Sequence, residues 1–551
     1  MISVLLTRIR SRRRNILIHA LVIFLALTSI GVSQFRSYGI SYDEPAMRMH
    51  GIANAKYVVD IFAPSLSSKL SSEPLYKSIP GFSEVDQNGL THPVFFELAL
   101  VFLEYQFGLT DDKKNLWEYR HLANFIFCSL GLVVFFVFLY WRFRKLPLAY
   151  LGVFFVALSP RIFSDMFYNN KDAIFMTTYL AAGTASILFI VNRRNTFLFI
   201  SAIAIGLSAA TRQVGILPAI LIWVSIAFQF REITLSSRVK KLALHFSLTL
   251  SSMVLFQPYY WGDPITRLFE SLVRATNFPY PGCTLTRGTC LENTSLPWFY
   301  LPLWISVTIP LVFLIVFVLG LSRFQIDFFT KLRNQPFANT HMKTDFLVLC
   351  LILLPILIAV MSTTTLYNGW RHFYFVYPFL AYFGVRFFSN SSVVLMHRLQ
   401  LIFASLVLFT FCTTVVWMHE NRPLQNLYFN QLAGEKIEAN WELDYWSVSN
   451  RQALEWILSR DSRKQISIQT NDNSPLYDSA VFMSAEDISR VDFLWYNKGI
   501  EGADYVIARQ DLTPESKELR ALLNSRNSGF RLVYTRSIGQ TDIFSIYAKN
   551  S

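Results

Sequence analysis

Long apolar runs, separated by short connections that carry most of the charge, fill the chain from about Asn15 to Met418. They lie near Asn15 to Phe35, Leu122 to Trp141, Pro147 to Leu158, Ala173 to Val191, Thr196 to Ala210, Val214 to Phe230 and Leu242 to Phe256. Further runs follow at Trp298 to Leu321, Phe346 to Met361, Phe373 to Val385 and Leu399 to Met418. A run of roughly 20 apolar residues is long enough to cross a bilayer as a helix, so the pattern predicts about eleven spans. From His419 the pattern becomes that of a water-soluble fold. Helices are predicted over Ser449 to Ser459 and Pro514 to Ser525, and strands over Gln465 to Gln469, Asp504 to Ala508, Phe530 to Ile538 and Asp542 to Ala548. The expected architecture is an all-α polytopic membrane protein, residues 1–418 with a first outer loop at 36–121, followed by a small extracytoplasmic α/β domain at 419–551.

Composition agrees with this pattern. Of 551 residues, 53% are hydrophobic and only 16% charged, and mean hydropathy is +0.35; soluble proteins approach about a quarter charged. The net charge of +13 is explained by sidedness. Arg8, Arg10, Arg12, Arg13 and Arg14 precede the first span and hold the N-terminus inside, and every second connection thereafter is again basic. The run is too long for a signal peptide and lacks a small-residue cleavage site, so it reads as an uncleaved anchor. Basic charge placed this way implies no nucleic-acid partner.

The alternate connections face outward, and they hold the candidate chemistry. Directly after the first span comes Ser41-Tyr42-Asp43-Glu44-Pro45, two adjacent carboxylates at the membrane surface. One reading is a helix start, because Pro45 suits a first helical turn and Ser41, Asp43 or Glu44 suits its cap. The other is a base at the interface. Pro45 to Phe62 is predicted helical with Met47, Tyr57, Val58, Ile61 and Phe62 as apolar cover, and Thr91-His92-Pro93 opens a second helix through Phe95, Leu98, Ala99 and Phe102. Both could lie in the membrane plane. Arg161, Lys171 and Asp172 sit in the second outer loop, Arg212 at a hairpin tip and Arg371-His372 in the fifth. Snorkelling to the interface explains any one of these arginines; several on one side suggest an anion. Cys283 and Cys290 are spaced for a small disulfide loop in an oxidising compartment, and no matching Cys or His pair nearby favours a metal instead. Asn293-Thr294-Ser295 fits the glycosylation sequon.

Acidic groups on one loop and cations on several others suit transfer from a phosphate-linked donor. A carboxylate takes the proton from the attacking hydroxyl, and cations stabilise the departing phosphate. At these residues the chain resembles the GT-C glycosyltransferases, in the branch of the protein O-mannosyltransferases and the aminoarabinose transferase (family 39-like). The likeness rests on Asp43-Glu44 after the first span, the long first outer loop, and the second outer loop from Tyr168 to Asp172. It implies an inverting transfer from a polyprenyl-phosphate sugar to a lipid, glycan or protein acceptor outside the cytoplasm. Under it Asp43 is the base, Glu44 its supporting neighbour, and Asp172 lies near the donor or a metal. Arg161, Lys171, Arg212, Arg371 and His372 are candidates for the donor phosphate. A divalent metal held by Asp43, Glu44 and Asp172 is possible but not required. A bacterial plasma (inner) membrane, with site and tail on the periplasmic face, is the expected location. A lipid or polysaccharide transporter and a non-catalytic assembly subunit are the alternatives.

Overall fold

The computed structural model describes residues 2–66, 94–230, 232–276, 282–331, 339–362, 364–389, 394–470, 473–494, 500–511, 513–525 and 528–550. The expected loop from Pro64 to Asn88 and the opening Thr91-His92-Pro93 lie almost wholly outside them. Within the described residues the molecule is an all-α polytopic membrane protein with a small C-terminal sheet. Six helices are long and apolar enough to cross a membrane: Arg14–Ser37, Lys113–Phe143, Asp172–Asn192, Leu311–Thr330, Thr340–Met361 and Val394–Glu420. Leu146–Ala157 and Pro160–Tyr168 pass the same test only as a pair bent by 70°. The remaining expected runs are shorter, interrupted or, in Leu235–Leu255, charged at one end by Arg238, Lys240 and Lys241. Trp298 to Leu321, for example, divides into Tyr300–Thr308 and Leu311–Lys331; Pro310 between them lacks the N–H that a continuous helix would need.

The helices pack closely where side chains are small. A Cβ on Gly320 would collide with the Phe383 carbonyl, so the helices Leu311–Lys331 and Tyr377–Phe387 can approach only with glycine there. At the end of the bundle away from Asp43, Asp345 accepts hydrogen bonds from Arg142 Nε and Nη2 at 3.0 and 2.7 Å, from Arg386 Nε at 2.6 Å, and from the Tyr382 hydroxyl.

The two helices of the first outer loop carry exposed apolar residues and buried charges, the arrangement that helices lying in the membrane plane would have. In Glu44–Phe62, Ile61 and Phe62 are exposed while Glu44 and Arg48 are buried; in Phe95–Gln106, Phe102 and Leu103 are exposed while Glu97, Leu100, Val101 and Glu104 are buried. A helix at a lipid boundary turns its apolar side outward and its charges inward, the opposite of a helix in water. The inward charges satisfy one another: Arg48 Nε donates to Glu104 at 2.9 Å, and Arg120 donates to both Glu104 and Glu97.

Two sheets lie outside the helical bundle. A hairpin of β1 (Cys283–Thr286) and β2 (Thr289–Glu292) is closed by the Cys283–Cys290 disulfide, with Cα atoms 5.3 Å apart. The C-terminal sheet contains β3 (Ile466–Thr470), β4 (Val491–Leu494), β5 (Tyr505–Arg509), β6 (Phe530–Ile538) and β7 (Thr541–Lys549) in the order β4-β3-β5-β7-β6. Strand β3 runs parallel to β4 and β5, whereas β7 is antiparallel to β5 and β6. Its core is continuous with that of the bundle: Leu424, Trp446, Leu454, Ile468 and Ile546 belong to the same buried cluster as Phe125 and Phe167.

Candidate functional site

The two readings of the Asp43-Glu44 pair separate in space. Asp43 stands at the N-cap of helix Glu44–Phe62, yet its side chain makes no capping hydrogen bond. Glu44 turns inward instead. Fully buried, it accepts the Ser41 N–H at 2.7 Å and meets His121 Nε2 at 3.1 Å. Glu44 therefore fastens the start of the helix from behind and leaves the Asp43 carboxylate free for the opposite side.

That side carries an ionic cluster drawn from four separate parts of the chain. Asp43 Oδ2 lies 3.3 Å from Lys171 Nζ and 2.8 Å from Arg371 Nη1. The same Arg371 nitrogen reaches Asp172 Oδ2 at 3.2 Å, and Arg212 Nη2 pairs with Asp172 Oδ1. Asp172 is the first residue of its helix, where the peptide dipoles favour a negative charge. Its orientation is fixed by Asn169, whose Oδ1 accepts the Asp172 N–H at 2.8 Å and whose amide also donates to Asp165 at 2.9 Å. Arg371 is brought in by a sharp turn. Asn368 and Gly369 both have positive φ, 55° and 72°, a conformation that glycine adopts without cost. Asn368 is held by Thr284 of β1, whose hydroxyl accepts its N–H at 3.2 Å, and by Glu442, which accepts its side-chain amide at 3.0 Å.

Asp172 and Arg371 are almost wholly shielded, whereas the side chains of Asp43, Lys171 and Arg212 keep 22%, 21% and 22% exposure, so the cluster has one accessible face. Burial alone would raise the Asp43 carboxyl, but the Lys171 ammonium and the Arg371 guanidinium outweigh it and hold Asp43 well below the usual carboxylate range. His372 is held neutral by burial first, and then by the charges of Arg371, Arg212 and Lys171. Its ring meets Tyr367 edge-on at 4.6 Å.

Five of the residues singled out from sequence thus assemble into one cluster: Asp43, Lys171, Asp172, Arg212 and Arg371, with His372 beside it. Arg161 stands apart. Its Nε donates to the Tyr428 carbonyl at 2.9 Å and its guanidinium lies 4.3 Å from the centre of the Phe429 ring, ties that anchor the segment following the last long helix. Nor do Asp43, Glu44 and Asp172 converge as metal ligands: the first and third share Arg371, and the second faces His121. Among the described residues, no group of three or more His, Cys, Asp or Glu is placed to hold a metal ion. Asn293 of the sequon is buried, with its side-chain oxygen accepting from Thr284 at 2.9 Å.

One neighbour of the cluster has no signal in the sequence. Trp446 places its ring 4.5 Å from the Arg371 guanidinium, and its carbonyl accepts the Tyr42 N–H at 3.0 Å. No local pattern marks a contact of this kind, because it is made by folding the tail back against the residues around Asp43 and Arg371.

No family model matches the chain, and no curated protein matches it. Among solved structures, ArnT from Cupriavidus metallidurans bound to undecaprenyl phosphate aligns with 97% of this chain and 97% of its own, at 12% identity and a TM-score of 0.45. The apo state of ArnT from the same organism aligns over 98% of each chain, at 13% identity and a TM-score of 0.41.

Proposed function

We propose that the protein is an integral membrane glycosyltransferase that moves a sugar from a polyprenyl phosphate to a hydroxyl-bearing acceptor on the outer face of the membrane. The observation that carries this reading is the ratio of charges in the cluster. Three cations, Lys171, Arg212 and Arg371, surround two carboxylates, Asp43 and Asp172, leaving one positive charge in excess on a face open to solvent. A sugar phosphodiester carries one negative charge and matches it.

The same contacts account for a change in Asp43 during the reaction. At rest, Lys171 and Arg371 make its carboxylate a weak base. A bound phosphate competes for both cations, and Asp43 regains basicity as they turn toward the new anion. The acceptor oxygen then attacks the anomeric carbon from the side opposite the phosphate. Its proton passes to Asp43, the bond from the anomeric carbon to the phosphate oxygen breaks, and the electron pair leaves with the polyprenyl phosphate. The product monoester carries more negative charge than the diester, so the cations favour the leaving group as charge grows on it. Inversion, the bacterial inner membrane and the periplasmic face belong to the same proposal.

The test is transfer by purified, detergent-solubilised protein offered a panel of radiolabelled polyprenyl-phosphate sugars, comparing wild type with Asp43→Asn. Turnover of one donor that disappears in the variant supports the reading. Full transfer by a well-folded Asp43→Asn removes Asp43 as the base, and no binding of any donor points to a transporter or an assembly subunit.

A further inference from the structure

We propose that Trp446, in the segment that leads from the last membrane helix to the C-terminal sheet, is a positioning residue for phosphate recognition: its indole face holds the Arg371 guanidinium in place. The proposal rests on the phosphate role assigned above to Arg371.

The geometry is specific. Arg371 lies 4.5 Å from the Trp446 ring centre and 4.8 Å from that of Tyr367. Both distances are within the range over which a cation is attracted by an aromatic face. Arg371 and Trp446 are 2% and 1% exposed, so water does not weaken the attraction. Arg371 spends one nitrogen, Nη1, on Asp43 and Asp172 together, and its buried Nε has no hydrogen-bond partner. Those two bonds share one atom and cannot by themselves fix the plane of the guanidinium; the ring contacts supply that restraint.

The segment around Trp446 is shaped for this contact. Asp444 and Ser447, neither of them glycine, adopt positive φ of 39° and 56°, an uncommon conformation that concentrates at functional sites. The Ser447 N–H closes the turn on the Asp444 carbonyl at 2.7 Å, and Asp444 Oδ2 accepts the Ser449 N–H at 3.1 Å. Downstream, a Cβ on Gly39 would stand 2.7 Å from the Val448 carbonyl, so only glycine lets the arm leading to Asp43 lie this close to the segment. The Arg451 Nη1 donates to the Arg36 and Tyr38 carbonyls of that arm at 2.7 and 2.9 Å. Through Trp446 the tail thus touches both Arg371 and the residue before Asp43.

A cation–aromatic role and a packing role predict different results for two substitutions. Trp446→Phe keeps an aromatic face, whereas Trp446→Met keeps flexible apolar bulk without one. Binding of radiolabelled polyprenyl phosphate to the full-length protein in detergent is measured for each, with melting temperature as the check on folding. The expected result is a loss of about tenfold for Trp446→Met and about threefold or less for Trp446→Phe. Trp446→Met placed on Arg371→Gln should add no further loss. Equal losses for Phe and Met, or a full additional loss on Arg371→Gln, overturn the proposal and leave the phosphate role of Arg371 standing. Wild-type binding by Arg371→Gln overturns that role instead, and this proposal with it. If Trp446→Met does not fold, fluorinated tryptophans incorporated throughout the protein weaken the ring face without changing its shape. They should lower binding stepwise in wild type and leave Trp446→Phe unchanged; the same decline in both proteins overturns the proposal.

Discussion

Asp43 and Arg371 are separated by 328 residues in the chain and by 2.8 Å in the fold. The pair joins the exit of the first membrane helix to the fifth outer connection, and Asp172 closes the arrangement by sharing the same guanidinium nitrogen.

Asp43→Asn preserves the shape of the side chain and removes its ability to take a proton. Transfer should fall by about 10²- to 10⁴-fold, the usual contribution of a general base, while donor binding persists because the cations remain. Glu44→Gln still accepts the Ser41 N–H, so it should lower melting temperature without a comparable loss of transfer. Initial rates and thermal melts of the two purified variants separate the roles.

Asp43 and Glu442 should show opposite dependences on pH. The folded state depresses the Asp43 carboxyl, so its stabilising contribution is present above the ordinary range near about 3.9 and is lost only as pH falls through the lower folded value. Between pH 5 and 8 the melting difference between wild type and Asp43→Asn should therefore stay constant. Burial, with Asp511 nearby, pushes Glu442 up to about 7. A raised carboxyl stabilises when protonated, below its unfolded value, and that stability is lost as pH rises through about 7. Glu442→Gln should flatten the fall in melting temperature from pH 5 to 8; an unchanged slope counts against this assignment.

Replacing Cys283 and Cys290 by serine opens a loop whose ends are seven residues apart in sequence. Closing so short a loop contributes about 2–3 kcal/mol by chain entropy. The loss should reach the site, since Thr284 in this hairpin holds the Asn368 turn that delivers Arg371. Lower melting temperature together with weaker donor binding is the expected pair of effects; lower melting temperature with unchanged binding would separate the hairpin from the site.

Asp345→Asn leaves the largely buried Arg142 without its carboxylate partner and Arg386 with Asp327 alone. Removing one partner of a buried ion pair typically costs about 3–5 kcal/mol. Because this cluster lies at the other end of the bundle, protein that remains folded should transfer at close to the wild-type rate. Folded yield and rate per folded molecule, measured side by side, test both statements.

Much of the site was visible in the sequence because lipid makes charge conspicuous. Lys171, Asp172, Arg212 and Arg371 each interrupt or border an apolar run, and alternation of basic connections assigns them to one side. Four strands of the tail were legible for the ordinary reason, alternating apolar residues between turn signals, and β6 matches its expected limits at Phe530 and Ile538; the short edge strand β4, Val491–Leu494, was not read. The buried charges of the first outer loop were not legible. Phe95, Leu98, Ala99 and Phe102 read as the apolar cover of a helix in the membrane plane, and Phe102 is exposed, but no local pattern shows that the helix buries Glu97 and Glu104 beside Arg120. Arg161 shows a related limit: from sequence an arginine at such a position can serve the chain as well as a ligand, and only the fold shows that its Nε donates to the Tyr428 carbonyl, away from the cluster. Neighbours such as Trp446 depend on how the tail docks, which no local pattern encodes.

The cluster also has an order of arrival. Asp43 leaves the ribosome early, Lys171 and Asp172 follow, then Arg212, then Arg371, and the ring that lies against Arg371 comes only after the last membrane helix, Val394–Glu420, has been made. Chains fold as they are synthesised, N-terminal parts first. A nascent chain halted at the end of that helix has every charge of the cluster and lacks the ring against Arg371. Completion of the tail is thus the event that sets the Trp446 ring against Arg371 and ties Tyr42, the neighbour of Asp43, to the same segment.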